Sequence, residues 1–353
     1  MTSASIELQG NWSFPTTIRF GAGEIQKVAD DCSELGIRRP LLVTDEGSVN
    51  LPFFGLIQSI LKRSNVNATV FSSVVSNPTD DNIVDGVTAY RSGDCDGVIA
   101  IGGGSGIDAG KAIALMIGQS RPLADFEDVG DNWRRVNQEG LAPCIAIPTT
   151  AGTGSEVGRA SVIVDTVQNE KKIIFHPRMM PSRVICDPEL TVNLPPRLTA
   201  ATGIDAFTHC LEAFCVPTYH PIADGIALKG MQLVARWLPI VYADGSNIEA
   251  RAHMMAAASM GAAAFQKGLG AVHALSHAVG AQYNTHHGLT NAVFLPYVLI
   301  RNRSAIEEMM KDVGAAVGTN SGEFEAVLGW ILEFRDQLGI PNDAKALGVR
   351  LGS

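Results

Sequence analysis

Asp205 and His209 stand four residues apart in GIDAFTHCLEAF, and His273 and His277 stand four apart in HALSHAVGAQYNTHHG, which continues to His286 and His287. Five of the eight histidines of the 353-residue chain fall in these two segments. On a helix, a spacing of four puts two side chains on one face. One carboxylate and three imidazoles make a donor set for a divalent transition metal and leave an outer position for a substrate oxygen. A lone histidine on an apolar helix is more often a hydrogen-bonded core residue than a ligand. Two such pairs with further histidines close by are different, because buried imidazoles in this number need a shared partner. Spacing alone does not choose among His277, His286 and His287 for the last ligand.

Three other segments have the residue types of a nucleotide clamp. Gly102, Gly103, Gly104, Ser105 and Gly106 follow the apolar run VIAI and open a helix near Ile107. Strand, glycine turn and helix in that order bring backbone amides to a pyrophosphate, with the helix N-terminus favouring its charge. The turn is not GxGxxG, and alone it could be no more than a tight connection. IPTTAGTGSE, residues 147–156, also leaves an apolar strand and gathers the hydroxyls of Thr149, Thr150, Thr153 and Ser155, which can bond phosphate or a nicotinamide carboxamide. Asp45 ends the run LLVTD. There a carboxylate accepts from an adenine-ribose diol and repels a 2′-phosphate, which favours NAD over NADP; its plainer use is to cap the next turn.

These residues need elements to hold them. From Thr17 to Asp187 short β-branched runs at 18–20, 41–44, 68–74, 97–101 and 144–148 alternate with helix candidates near 23–35, 52–64, 80–92 and 105–117. That alternation predicts a parallel sheet covered on both faces, with ligands at the carboxyl ends of its strands. A β-hairpin is predicted within Arg159–Phe175, where SVIVD and KKIIF bracket a polar turn. Prolines punctuate the chain between Pro188 and Pro196, and helical periodicity follows near 199–215, 222–240, 247–266, 270–281, 289–300, 304–317 and 322–338. The expected organisation is an α/β nucleotide-binding domain over 1–190 and an all-helical, metal-binding domain over 191–353.

Composition excludes several function classes. With 46% hydrophobic and 18% charged residues the chain is a globular protein. Its net charge of −9 argues against nucleic-acid and anionic-membrane partners, both of which need concentrated Lys and Arg, and so points to a small molecule. The six cysteines show no CxxC spacing, which fits neither a zinc knuckle nor a disulfide framework and suits a reducing cytoplasm. Cys210 and Cys215 beside the first ligand segment read as small buried apolar residues. MTSASIELQG lacks the basic start and apolar core of a secretory signal. The apolar stretch Met254–Phe265 is too short for a bilayer.

GGGSGIDAGKA, IPTTAGTGSEV, DPEL, TGIDAFTHCLEAF, GLGAVHALSHAVGAQYNTHHG and LTNAVFLPYV together resemble the iron-dependent (group III) alcohol dehydrogenases, which share a fold with dehydroquinate synthase and glycerol dehydrogenase. The resemblance runs from about Phe20 to Tyr297. It implies a dehydroquinate synthase-like pair of domains and a cleft holding NAD(P) and one divalent metal, Fe2+ with Zn2+ as the other choice. It implies the ligands Asp205, His209, His273 and His287, with His277 near the nicotinamide as a proton relay and His286 a neighbour. Cofactor contacts carry over to Asp45, Gly102, Gly103, Gly104, Ser105, Asp108, Thr149, Thr150, Thr153 and Lys171. It also implies a homodimer and a longer C-terminus than the LGVRLGS with which the sequence ends. Lys267 falls near the ligand helix, where it would greet an acidic substrate or, more plainly, be a solvated surface lysine.

The expected reaction is hydride transfer between a small alcohol or aldehyde and nicotinamide, because a metal's charge lowers the pKa of an alcohol hydroxyl far enough for hydride to leave its carbon. The rival within oxidoreductases is an oxo-acid or maleylacetate-like reductase, motivated by Lys267 and Arg159. The rivals outside that class are a dehydroquinate synthase-like lyase, with no net NADH change, and a binding protein without turnover.

Overall fold

The computed structural model describes residues 14–349 and divides into two compact units: Pro15–Thr150 with Ser155–Thr191, and Ala151–Gly154 with the chain from Val192 onward. The secretory-signal expectation for residues 1–10, and most of the expectation for LGVRLGS, lie outside the described residues.

The α/β unit is built on a six-stranded parallel sheet. Its strands are β1 (Ile18–Phe20), β2 (Pro40–Asp45), β3 (Thr69–Val74), β4 (Gly97–Gly102), β5 (Cys144–Pro148) and β8 (Arg183–Cys186), in the order β1-β8-β5-β4-β2-β3. β4 reads GVIAIG and is buried at every position, as a strand covered on both faces must be. Alternation sends Leu41, Val43, Val98 and Ala100 into one core and Leu42, Ile99 and Ile101 into the other. The covering helices are α1 (Val28–Glu34), α2 (Pro52–Arg63), α3 (Asp80–Ser92) and α4 (Gly104–Met116). The hairpin forms as β6 (Ala160–Asp165) and β7 (Glu170–Phe175), an antiparallel ribbon apart from the main sheet.

Two features depart from expectation. The helix predicted over 23–35 is a 3-10 turn, Glu24–Lys27, followed by α1. β8 was not foreseen: at four residues, RVIC is too short to show a period, yet it fills the place between β1 and β5.

The second unit is helical, with no strand among the described residues: α5 (Pro196–Cys215), α6 (Pro221–Ala243), α7 (Ile248–Ala264), α8 (Ala271–Tyr283), α9 (His287–Ile306), α10 (Met310–Val317) and α11 (Phe324–Gln337). α5 is buried from Thr199 to Phe214 except at Thr202, so it forms the core of this unit. Among the described residues no helix is long and apolar enough to cross a membrane, and all six cysteines are free. Cys210 is fully buried, as a small apolar residue would be.

Candidate metal centre

Three helices deliver the donors. α5 carries Asp205 and His209 one turn apart, α8 carries His273 near its start, and His287 is the first residue of α9. Asn284 ends α8 in the left-handed conformation (φ 50°), a position its short polar side chain tolerates, and the chain turns directly into α9. Gly288 then sets the approach of α9 to α5. A Cβ there would lie 2.4 Å from the Ala201 carbonyl oxygen and 3.0 Å from Asp205 Cβ, so only glycine lets His287 come so close to Asp205.

One donor atom from each of Asp205, His209, His273 and His287 lies within 4.8 Å of the others. Asp205 Oδ1 is 3.7 Å from both His273 Nε2 and His287 Nε2. Asp205, His209 and His273 are buried, and His287 is partly so. The far edges of two rings are held: His273 Nδ1 is 2.6 Å from Glu212 Oε2, and His287 Nδ1 is 3.3 Å from the Ser276 hydroxyl, which donates to the His273 carbonyl. Asn291 Nδ2 donates to Asp205 Oδ1 at 2.7 Å and lies 3.1 Å from Nε2 of both His273 and His287. His209 Nδ1 and Asn291 Oδ1 are buried without a hydrogen-bond partner. Lone pairs gathered in a buried place, with two polar atoms left over, lack a common positive partner, and a divalent cation fits that need.

Electrostatics points the same way. Burial outweighs the charge of Asp205 and, with the nearby imidazoles, pushes His209 down to about 4 and holds His287 well below the ordinary imidazole range, so both offer lone pairs at neutral pH. Burial opposes charge on His273, but the neighbouring carboxylates of Asp205 and Glu212 outweigh that and raise it to about 9. Burial likewise opposes charge on Asp205, yet the surrounding imidazoles keep its carboxyl well below the carboxylate range.

The other histidines separate by position. His277 lies beside the group, its ring centroid 5.2 Å from that of His287 and 6.3 Å from that of His273. His286 caps α9, its Nδ1 accepting from the Leu289 amide. Lys267 is not the solvated lysine expected, nor a cation awaiting an acid. Its side chain is 4% exposed, and its Nζ donates to Asp224 Oδ1 at 2.6 Å and to the Phe214 carbonyl. Sequence reasoning passed over Glu212, Ser276 and Asn291. Glu212 continues the Asp205/His209 face by three residues and Asn291 stands four after His287, so helical spacing could have found both.

In the α/β unit the glycine turn joins β4 to α4, and Gly103 caps the helix without a side chain, leaving its first amides open. A Cβ on Gly106 would be 2.7 Å from the Ile101 carbonyl oxygen, which is the close helix–strand approach such a turn requires. The Thr149 amide donates to the Gly102 carbonyl, and the Thr150 side chain lies against Gly103. Ser105 Oγ accepts from the Asn77 amide, and Lys171 Nζ donates to Asn77 Oδ1 at 2.7 Å. Burial lowers the Lys171 ammonium pKa. Asp108 faces the hairpin, accepting from the Ser155 hydroxyl and the Val162 amide and pairing with Lys111. Asp45 does cap its turn, accepting from the amide and hydroxyl of Ser48. Thr153 falls in the 151–154 segment that groups with the helical unit.

Comparison with known proteins adds the context. Residues 15–188 match the family model described as iron-containing alcohol dehydrogenase, and residues 199–351 match that of the Fe-containing alcohol dehydrogenase family, C-terminal. Among curated relatives, the 4-hydroxybutyrate dehydrogenase of Cupriavidus necator is 38% identical over 95% of this chain and 88% of its own length. The 1,3-propanediol dehydrogenase of Klebsiella pneumoniae is 34% identical over 95% of this chain and 88% of its own. Among solved structures, a 1,3-propanediol oxidoreductase superposes with a TM-score of 0.92 at 34% identity, covering 97% of this chain and 90% of that one. A sulfoacetaldehyde reductase from Bifidobacterium kashiwanohense, in complex with NAD+, gives 0.87 at 29% identity over 98% and 90% of the two chains.

Proposed function

The chain belongs to the iron-containing alcohol dehydrogenase family, whose members act on CH–OH groups, and from that premise we propose that it moves hydride between a small primary alcohol and NAD with the help of one ferrous ion. The observation that carries this reading is the convergence of Asp205, His209, His273 and His287 within 4.8 Å. One carboxylate and three neutral imidazoles would hold the ion while contributing a single negative charge. Such an ion supplies the Lewis acidity that favours loss of the alcohol proton and, in reverse, polarises the carbonyl.

The chain's own residues do the rest. We assign to the amides of Gly102, Gly103, Gly104 and Ser105 the reception of the pyrophosphate at the start of α4. Thr149, Thr150 and Thr153 offer hydroxyls to phosphate and carboxamide, and Lys171 adds a charge beside Ser105. Asp45 has lone pairs beyond those Ser48 uses and can take the ribose diol, which is the ground for preferring NAD to NADP. Asp108 would act through the hairpin it anchors. His277 would exchange the substrate proton at an imidazole nitrogen. Relatives acting on 4-hydroxybutyrate and 1,3-propanediol motivate a substrate with a terminal hydroxymethyl group. Lys267 does not serve the acid-reductase alternative, because it already has Asp224 as partner, and a terminal hydroxy acid stays among the substrates to screen. A cytoplasmic homodimer is the proposed setting, the compartment from six free cysteines and the dimer from the family resemblance.

Anaerobic purification with metal analysis, then a screen of primary alcohols, diols and hydroxy acids for net formation of reduced nicotinamide, tests the proposal. Expected are one divalent ion per chain and NADH formation with a terminal alcohol. Substrate consumption with no net NADH would instead indicate the lyase.

A further inference from the structure

Resting on the reading of Asp205, His209, His273 and His287 as metal ligands, we infer that Glu212 is a positioning residue for that centre: its carboxylate holds the Nδ1 proton of His273 and so turns the Nε2 lone pair toward the ion.

Glu212 lies on the same face of α5 as Asp205 and His209 and is buried at 7% exposure. Its Oε2 is 2.6 Å from His273 Nδ1, and its two oxygens also accept from the amides of Val272 at 2.8 Å and His273 at 3.3 Å. Those amides belong to the first turn of α8, whose N-cap is Gly270 and offers no side chain. A Cβ at Gly270 would be 2.5 Å from Glu212 Oε1, so the capless glycine is what admits the carboxylate. One group from α5 thus caps the helix that bears His273 and fixes the ring of the same residue.

The ring contact matters because neutral imidazole has two tautomers, and only the one protonated at Nδ1 offers Nε2 as a ligand. A carboxylate accepts and cannot donate, so it selects that tautomer. The plain alternative is that Glu212 is a helix cap and nothing more. Glu212→Gln separates the two. The amide oxygen can still accept from the Val272 amide, while the NH2 group then faces Nδ1 and favours the tautomer that withdraws Nε2 from the ion.

The test uses the full chain loaded with Zn2+ or Co2+. Affinity is read by competition with a chelator, geometry by the visible Co2+ spectrum, and the cap by the melting temperature of the metal-free protein. Glu212→Gln is expected to weaken metal binding about 10- to 100-fold and to shift the Co2+ bands, whereas loss of a cap alone would lower the metal-free melting temperature and leave affinity and spectrum as they were. Gly270→Ala, which displaces the carboxylate without removing its charge, should move affinity the same way. Imidazole nitrogen spectra of the zinc-loaded unaltered protein should show His273 protonated at Nδ1, a readout that stands even if a variant fails to fold. Metal binding in Glu212→Gln as tight as in the unaltered protein, with the same Co2+ spectrum, would overturn the inference and leave Glu212 a cap. Failure of the unaltered protein to bind any divalent ion would overturn the metal reading itself and this inference with it.

Discussion

His209 and His273 lie ring on ring, with centroids 4.4 Å apart and planes 21° from parallel, although they come from different helices. Their surroundings drive them in opposite directions, His209 down to about 4 and His273 up to about 9. Two buried imidazoles this close do not both carry a positive charge, and Asp205 and Glu212 place that charge on His273.

That arrangement gives the metal-free protein a proton to lose. Below about pH 9 His273 is protonated until a cation displaces it, whereas His209 and His287 are already neutral at pH 7. Zinc binding at pH 7 should therefore release about one proton per ion, and apparent affinity should climb about tenfold per pH unit until it flattens near pH 9. Calorimetry in buffers of different ionisation enthalpy measures the release. Binding with no proton released would contradict this account of His273.

His277 touches the group without belonging to the four converging donors. His277→Ala should lower turnover about a hundredfold or more while metal content stays stoichiometric. If the ion is lost instead, His277 is a ligand and the set needs redrawing.

Asp45→Asn keeps an oxygen for the Ser48 amide and removes the charge. The preference for NAD over NADP, read as the ratio of kcat/KM values, should fall about tenfold with the melting temperature unchanged, since a tenfold ratio needs only about 1.4 kcal/mol. An unchanged ratio would reduce Asp45 to its turn.

Lys267→Met leaves Asp224 and the Phe214 carbonyl without their donor. Urea denaturation should register a loss of about 1.5–3 kcal/mol, in the range for a hydrogen bond to a charged group. KM for a hydroxy acid should not move relative to that for a simple alcohol. A selective rise in the acid's KM would return Lys267 to the substrate.

Much of this was legible because period and spacing are local. LLVTD, GVIAIG and CIAIP announce themselves by unbroken burial-prone runs, and Asp205, His209 and His273 by helical spacing, while only the family resemblance picked His287 from its neighbours. What stayed hidden depends on distant packing. RVIC becomes a strand only because β1 and β5 leave a place for it. Lys267 reads as a surface cation until α6 brings Asp224 to it. Glu212 has the right spacing, but its use appears only when α8 sets His273 against it.

The four candidate donors span residues 205–287 and three helices, which would touch a bound ion from separate stretches of chain. An ion held this way is a detachable rivet as well as a reagent: at a thousandfold excess over its dissociation constant it would add about 4 kcal/mol to the stability of the helical unit. Starved of iron, such a protein would become food for proteases as well as idle, so the amount in a cell, and not only its rate, would follow the metal supply.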